Sequence, residues 1–294
     1  MSIKSTLRTR RRKRRILWVS LAVVVLAVVI AAYLVAGALS DPYTSSIGQP
    51  ASPTLTQELA GFSSSTLSDV GAGSAKPPSA VSGGPLTGDG RPLVLYIGGE
   101  YCPYCAVTRW SLVIALSKFG TFSGLEYMLS SGSDVNANTP TFTFASASYT
   151  SPYVTFVAVE HWDRSENTYQ PLTSNESALY SQYDSGGGIP FVDFANRYLV
   201  TGVTGGLSTL DLSGMNWTQV YSQLTVSGSQ AAQAIIGEAN YIISTVCAID
   251  GNRPSSVCSL SSSSLSLAAP APGQALQTAS EADPGARPDP PWTA

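Results

Sequence analysis

The sequence predicts an α/β fold: a mixed sheet flanked by helices, preceded by one transmembrane helix. Two observations predict it. A charge-free apolar run occupies residues 16–39 behind a basic tip, and strand-like and helix-like patterns alternate between about 91 and 258.

The chain opens on a basic tip, residues 1–15, which holds Lys4, Arg8, Arg10, Arg11, Arg12, Lys13, Arg14 and Arg15 and no acid. With 16 basic and 19 acidic residues in all, everything after the tip is strongly acidic. That split argues against nucleic-acid binding, which needs basic residues on the folded surface. Residues 16–39 are Val, Leu, Ile and Ala with Trp18 and Tyr33 near the two ends, long enough as a helix to cross a bilayer core of about 30 Å. Lys and Arg stay on the cytoplasmic side, so the tip is expected inside and the remainder outside the cell membrane as a single-pass protein. Ala36-Gly37-Ala38 also fits a cleavage site, which leaves a removed signal peptide as the competing reading.

Residues 40–90 are rich in Ser, Gly, Pro, Ala and Thr and are expected to form a flexible extracytoplasmic linker, with a short helix around Leu55–Ala60. The domain proper is expected over 91–258, and the Ser/Ala/Pro-rich tail 259–294 is expected to be disordered. Within the domain, Pro92–Ile97 is a continuous apolar run ending at Gly98-Gly99, the pattern of a buried strand. Cys102 through Phe119 reads as a largely buried helix closed by Gly120 as its C′ residue. Leu125–Leu129, Thr141–Phe144 and Tyr153–Val159 read as strands, the last β-branched and aromatic throughout. Glu176–Tyr183 reads as a short helix that Gly186–Gly188 breaks. Phe191–Phe194 and Tyr198–Val203 read as a hairpin turning near Asn196. Ser229–Ile249 carries Ile235, Ala239, Ile242 and Val246 at helical spacing, with Gly251 beyond its end.

The chemistry is expected at Cys102-Pro103-Tyr104-Cys105. Two thiols at this spacing, where a strand turns into a helix, form a redox arrangement. The helix terminus favours the thiolate of the first, and the second lies close enough to resolve a mixed disulfide. Cys102 is therefore read as the attacking sulfur and Cys105 as the resolving one. A structural disulfide between the two is the alternative. Zinc would need further ligands, and the single histidine, His161, stands at a strand end, so no metal and no bound cofactor are expected. Cys247 and Cys258 are read as a structural disulfide that staples the loop after the last helix, with a shuttle pair as the functional alternative.

The stretch Glu100–Ala106, then Arg109-Trp110, Ala115-Leu116 and Phe119-Gly120, resembles the family catalogued as domain of unknown function 929. The likeness continues through Thr141-Phe142, Ser151–Tyr153, Val159-Glu160 and Ile189–Phe191 to Cys247 and Cys258. The resemblance implies a thioredoxin-like fold but no settled activity. It also implies a cis-proline opening a strand that faces the motif, for which Pro190 is the matching position, and Pro190 joins Cys102 and Cys105 as a catalytic candidate. One departure is visible. Thioredoxin carries a buried acid six residues before its first Cys, and here that position is Tyr96. Glu100 is nearer, and its charge, if close, disfavours a Cys102 thiolate; Arg109 favours one at Cys105.

The function expected is a membrane-anchored extracytoplasmic thiol–disulfide oxidoreductase acting on exported proteins with thiols or disulfides, with no redox partner legible. The competing expectation is a non-catalytic cell-surface binding or structural module stapled by two disulfides.

Overall fold

A computed structural model describes residues 16–31, 42–202, 210–261, 265–269 and 292–293. The chain divides into two compact units, Met1–Ser45 and Ser46–Ala294. Within the first, helix α1 (Ile16–Ala31) is apolar and exposed along its whole length. It covers the front of the expected span; residues 32–39 lie outside the described residues.

The second unit begins earlier than expected. Helices α2 (Pro53–Ala60) and α3 (Ser64–Val70) and strands β1 (Ser79–Ala80) and β2 (Thr87–Gly88) occupy the segment read as a linker. Leu55, Leu59, Phe62, Val70 and Leu86 are buried there. Ala51 donates its backbone N–H to Leu125 and Gly48 to Tyr127, so the segment adds itself to the domain by main-chain bonds as well. The short helix expected around Leu55–Ala60 is α2, and the order extends beyond it because these five apolar side chains, scattered through a polar stretch, are all buried.

The sheet is mixed and centred on β3 (Arg91–Gly99). The helix α4 (Pro103–Leu116) follows it. Two small hairpin-like pairs come next, from β4 (Thr121–Ser123), β5 (Glu126–Leu129), β6 (Pro140–Thr143) and β7 (Ser148–Thr150), with β4 on β7 and β5 on β6. Strand β8 (Thr155–Trp162) returns parallel to β3, pairing Leu93 with Thr155 through Ile97 with Val159. After α5 (Ser174–Tyr183), β9 (Phe191–Phe194) runs antiparallel on the other side of β3, Ile97 opposite Phe191, and β10 (Tyr198–Thr201) pairs with β9. Ala195 and Asn196 both have positive φ, 54° and 55°, which is the hairpin turn that suits the twist of the flanking strands. Helices α6 (Trp217–Leu224), α7 (Ala232–Asp250, opening as a π-helical segment through Ile236) and α8 (Ser255–Ser261) complete the unit. Strand β11 (Trp292–Thr293) pairs with β2; the rest of the tail past residue 269, expected to be disordered, lies outside the described residues.

Being central, β3 is buried on both faces, which is why it reads as an unbroken apolar run. One face carries Leu93, Leu95 and Ile97 into a cluster with Val159, Phe191, Leu179 and Tyr180, the last two from α5. Helices α4 and α7 pack on each other, and α7 reaches β3 and β9. Each fully buried Leu or Ile contributes about 1.5–3 kcal/mol, so this strand is the main seat of the core. Helix α7 is long and apolar enough to cross a membrane, but 83% of its apolar window is buried inside the domain, as for a core helix. It ends at Gly251, φ 80°, as expected.

Gly120 has a different role from the one expected. Helix α4 already ends at Ser117 in right-handed geometry. A Cβ at Gly120 would lie 2.3 Å from the Thr150 carbonyl oxygen, so glycine is needed there for close approach rather than for a helix cap.

Two buried acids make the stability of the unit depend on pH. Burial lifts Asp193 from 3.8 to about 7 and Glu238 from 4.5 to about 7, against weaker lowering by hydrogen bonds from the Asn196 backbone and from Ser111 and Thr108. Their second carboxyl oxygens, Asp193 Oδ2 and Glu238 Oε2, are buried without a hydrogen-bond partner among the described residues. The unfolded chain therefore releases these protons at lower pH than the folded one, and their contribution is full below about pH 4 and lost as pH rises toward 7. The loss is on the order of 3 kcal/mol for each group. Denaturant titrations should show stability falling across that window, and Asp193→Asn with Glu238→Gln should flatten the fall. An unchanged slope in the double variant rules the explanation out.

Candidate functional site

Strand β3 delivers the chain to a turn at Glu100–Tyr101, and α4 starts immediately after, with Cys102 at its mouth. Cys102 is the N-cap, with extended backbone (φ −77°, ψ 121°), and its sulfur accepts the Cys105 backbone N–H at 3.4 Å. Pro103 occupies the first helical position, where its missing N–H costs nothing. A sulfur so placed faces the unsatisfied N–H groups and positive end of the helix, which favour an anion.

The two thiols are free and sharply unequal. Cys102 retains 5% exposure and Cys105 none. A hydrogen bond from the Cys105 thiol, with backbone N–H groups of Cys105 and Tyr104 and the Arg109 charge, outweighs burial and pulls the Cys102 thiol down. Burial, together with that same hydrogen bond, pushes Cys105 well up, against the Arg109 charge and a backbone hydrogen bond from Gly99. The two buried thiols are thus shifted in opposite directions, Cys102 toward the anion and Cys105 toward the neutral form.

Opposite the motif, the Ile189–Pro190 peptide bond is cis, and Pro190 is buried. Because Phe191 sits opposite Ile97, Pro190 lies level with Gly98 at the same end of the sheet as the motif. The Ile189 Cδ1 atom lies 3.3 Å from the site of a Cβ on Gly99. The structure thus brings the three candidates Cys102, Cys105 and Pro190 to one end of β3. Tyr101 sets its ring edge-on to Trp162 at 6.4 Å and flanks the motif.

Cys247 and Cys258 form a disulfide far along the chain, between the last turn of α7 and α8. Closing a loop of this size contributes about 2–3 kcal/mol by chain entropy. His161 stays at the strand end, its Nδ1 2.9 Å from the Gln170 carbonyl and its ring edge-on to Trp162.

Beneath the motif lies a feature the sequence reading did not assemble. Arg109, one turn after Cys105, is fully buried and bound in a fork to Glu160 of β8, Nε to Oε1 at 2.9 Å and Nη2 to Oε2 at 2.6 Å. Its Nη2 also donates to the Gly99 carbonyl at 2.8 Å, and its guanidinium lies 5.8 Å from the Tyr96 ring centre. Glu160 Oε1 accepts the Phe144 backbone N–H as well. A signal existed: Arg109 is the only charge in an otherwise uncharged helix, and a buried cation requires a buried partner. Glu100, expected to oppose the thiolate if close, turns instead to Thr143, whose hydroxyl donates to it at 2.6 Å. Burial raises its pKa, which weakens that opposition further.

Tyr96, the departure from the thioredoxin pattern six residues before Cys102, is fully buried and its hydroxyl has no hydrogen-bond partner among the described residues. A Cβ on Gly98 would lie 2.0 Å from that hydroxyl, so Gly98 is what gives the oxygen its room. Burial raises the Tyr96 pKa well above the ordinary tyrosine value, with Arg109 opposing.

Residues 77–185 match the family model of a domain of unknown function (DUF929). The match takes in the motif, Arg109 and Glu160 and supports the resemblance over that stretch; it ends before Pro190 and the Cys247–Cys258 disulfide. Neither a curated protein nor a solved structure matches the chain significantly.

Proposed function

We propose that this chain, similar over residues 77–185 to the domain of unknown function DUF929, is a thiol–disulfide oxidoreductase of thioredoxin-like fold. It acts outside the cytoplasm on exported proteins, anchored to the membrane by residues 16–39. One observation carries the reading: the two sulfurs of Cys102-Pro103-Tyr104-Cys105 are shifted in opposite directions, the N-cap sulfur, which keeps 5% exposure, toward thiolate and the fully sealed one toward thiol. Disulfide exchange needs that asymmetry, a nucleophile that meets the substrate and a resolving thiol held in reserve. A purely structural pair has no use for it. Cys102 and Cys105 do the chemistry, and the backbone before Pro190 receives an extended substrate segment.

The membrane part is supported by the apolar, fully exposed α1 behind eight basic residues, and by an exported location in which the Cys247–Cys258 disulfide is at home. The test is a redox titration of the detergent-solubilised full chain in thiol/disulfide buffers with trapping of free thiols. Cys102–Cys105 should open and close reversibly while Cys247–Cys258 stays closed. A first pair that stays oxidised in strong reductant with the domain folded defeats the catalytic reading in favour of a stapled module.

A further inference from the structure

Two polar groups at the motif are buried and unused. Among the described residues the Tyr96 hydroxyl and the Arg109 Nη1 have no hydrogen-bond partner, although each belongs to a side chain with no exposure. Buried donors without partners cost about 1–3 kcal/mol each, so two together call for an explanation. Their positions supply one. Both flank the Gly98–Gly99 backbone: the Tyr96 hydroxyl lies against Gly98, and Arg109 holds the Gly99 carbonyl through its other terminal nitrogen. The motif meets the same backbone, the Cys102 N–H donating to the Gly99 carbonyl at 3.2 Å, and Cys105 and Arg109, four residues apart on α4, share one helix face. The Arg109 guanidinium also lies 5.8 Å from the Tyr96 ring centre, so the two side chains are neighbours.

We propose that the Tyr96 hydroxyl and the Arg109 guanidinium are two pre-placed donors for the Cys105 thiolate, which exists only while a mixed disulfide is being resolved or released. The inference rests on the oxidoreductase reading and goes beyond it. In the reducing direction, the Cys102 thiolate attacks a substrate disulfide, and the displaced sulfur leaves as a thiolate that takes a proton from water. Cys105 then gives up its proton, and its thiolate attacks the Cys102 sulfur. The Cys102–Cys105 bond forms and the Cys102–substrate bond breaks. The second substrate sulfur leaves and takes up the proton that Cys105 lost. The cysteine pair is oxidised by two electrons and the substrate disulfide is reduced by two. In the oxidising direction Cys105 is the leaving group, and the same donors receive it. Donors aimed at a charge that appears only during reaction stand idle in the resting state, which accounts for their lack of partners.

The test uses the reduced full chain in detergent with dithiobis-nitrobenzoate, whose coloured thiolate is released twice. The first release reports attack by Cys102 and is proportional to reagent; the second reports resolution by Cys105 and is independent of it. Tyr96→Phe should leave the first unchanged, slow the second about tenfold and move its pH midpoint upward. Its melting temperature should hold or rise, since an orphaned hydroxyl has been removed. Arg109→Lys, which keeps the charge but not the fork, should shift the same midpoint if it folds; Tyr96→Phe keeps the question answerable if it does not. An unchanged second phase and midpoint in folded Tyr96→Phe overturns the donor pair and leaves the oxidoreductase reading standing. Absence of the first release in the wild-type chain removes both.

Discussion

Cys102→Ser should abolish the proposed disulfide exchange by the full chain, a loss on the order of a thousandfold or more, whereas Cys105→Ser should retain the first attack and stop there. The reason lies in the unequal sulfurs. A serine hydroxyl at the N-cap accepts the same backbone N–H but does not ionise under these conditions, so the helix end has no anion to stabilise. Losing Cys105 leaves the Cys102 sulfur at the helix mouth to attack but nothing to displace the substrate. Cys105→Ser should therefore accumulate a mixed disulfide, visible as a mass increase with a disulfide-containing peptide and reversed by reductant. Cys102→Ser should form none. Exchange persisting in Cys102→Ser would place the chemistry elsewhere, with Cys105, Cys247 and Cys258 the remaining cysteines.

Glu160→Ala should destabilise the domain by about 3–5 kcal/mol, read as a drop in the denaturant midpoint. Both members of the Arg109–Glu160 pair have fully buried side chains. Removing the carboxylate strands a guanidinium in the core and also orphans the Phe144 backbone N–H. The pair itself is worth far less than that figure, because bringing two charges out of water offsets most of their attraction. Glu160→Ala combined with Arg109→Met should therefore recover a large share of the loss. A Glu160→Ala change below about 1 kcal/mol would mean that water reaches the pair and that Arg109 is not the buried cation described.

The strands and helices were legible wherever periodicity and local turn chemistry decide the matter. The apolar run at β3, the Cys-Pro start of α4, the hairpin around Asn196 and the glycine after α7 all took the expected form because each rests on backbone preferences acting over a few residues. The linker was misread because Ser, Gly and Pro dominate residues 40–90, and what orders that stretch is burial of isolated apolar residues in grooves made by distant parts of the chain. Gly120 was misread for a related reason: its constraint is the Thr150 carbonyl, thirty residues away.

By itself the sequence determined the mixed α/β class, the basic tip before an apolar helix, and the two sulfurs placed at a helix mouth, since these follow from composition and spacing along the chain. Only the tertiary structure decided how unequal those sulfurs are, that Arg109 and Glu160 meet beneath them, that Glu100 turns aside to Thr143, and that the Tyr96 hydroxyl is left without a partner. The physical reason is that ionisation and hydrogen-bond satisfaction depend on which groups are desolvated together. Desolvation is set by contacts between strands and helices far apart in the chain, which no local pattern of residues records.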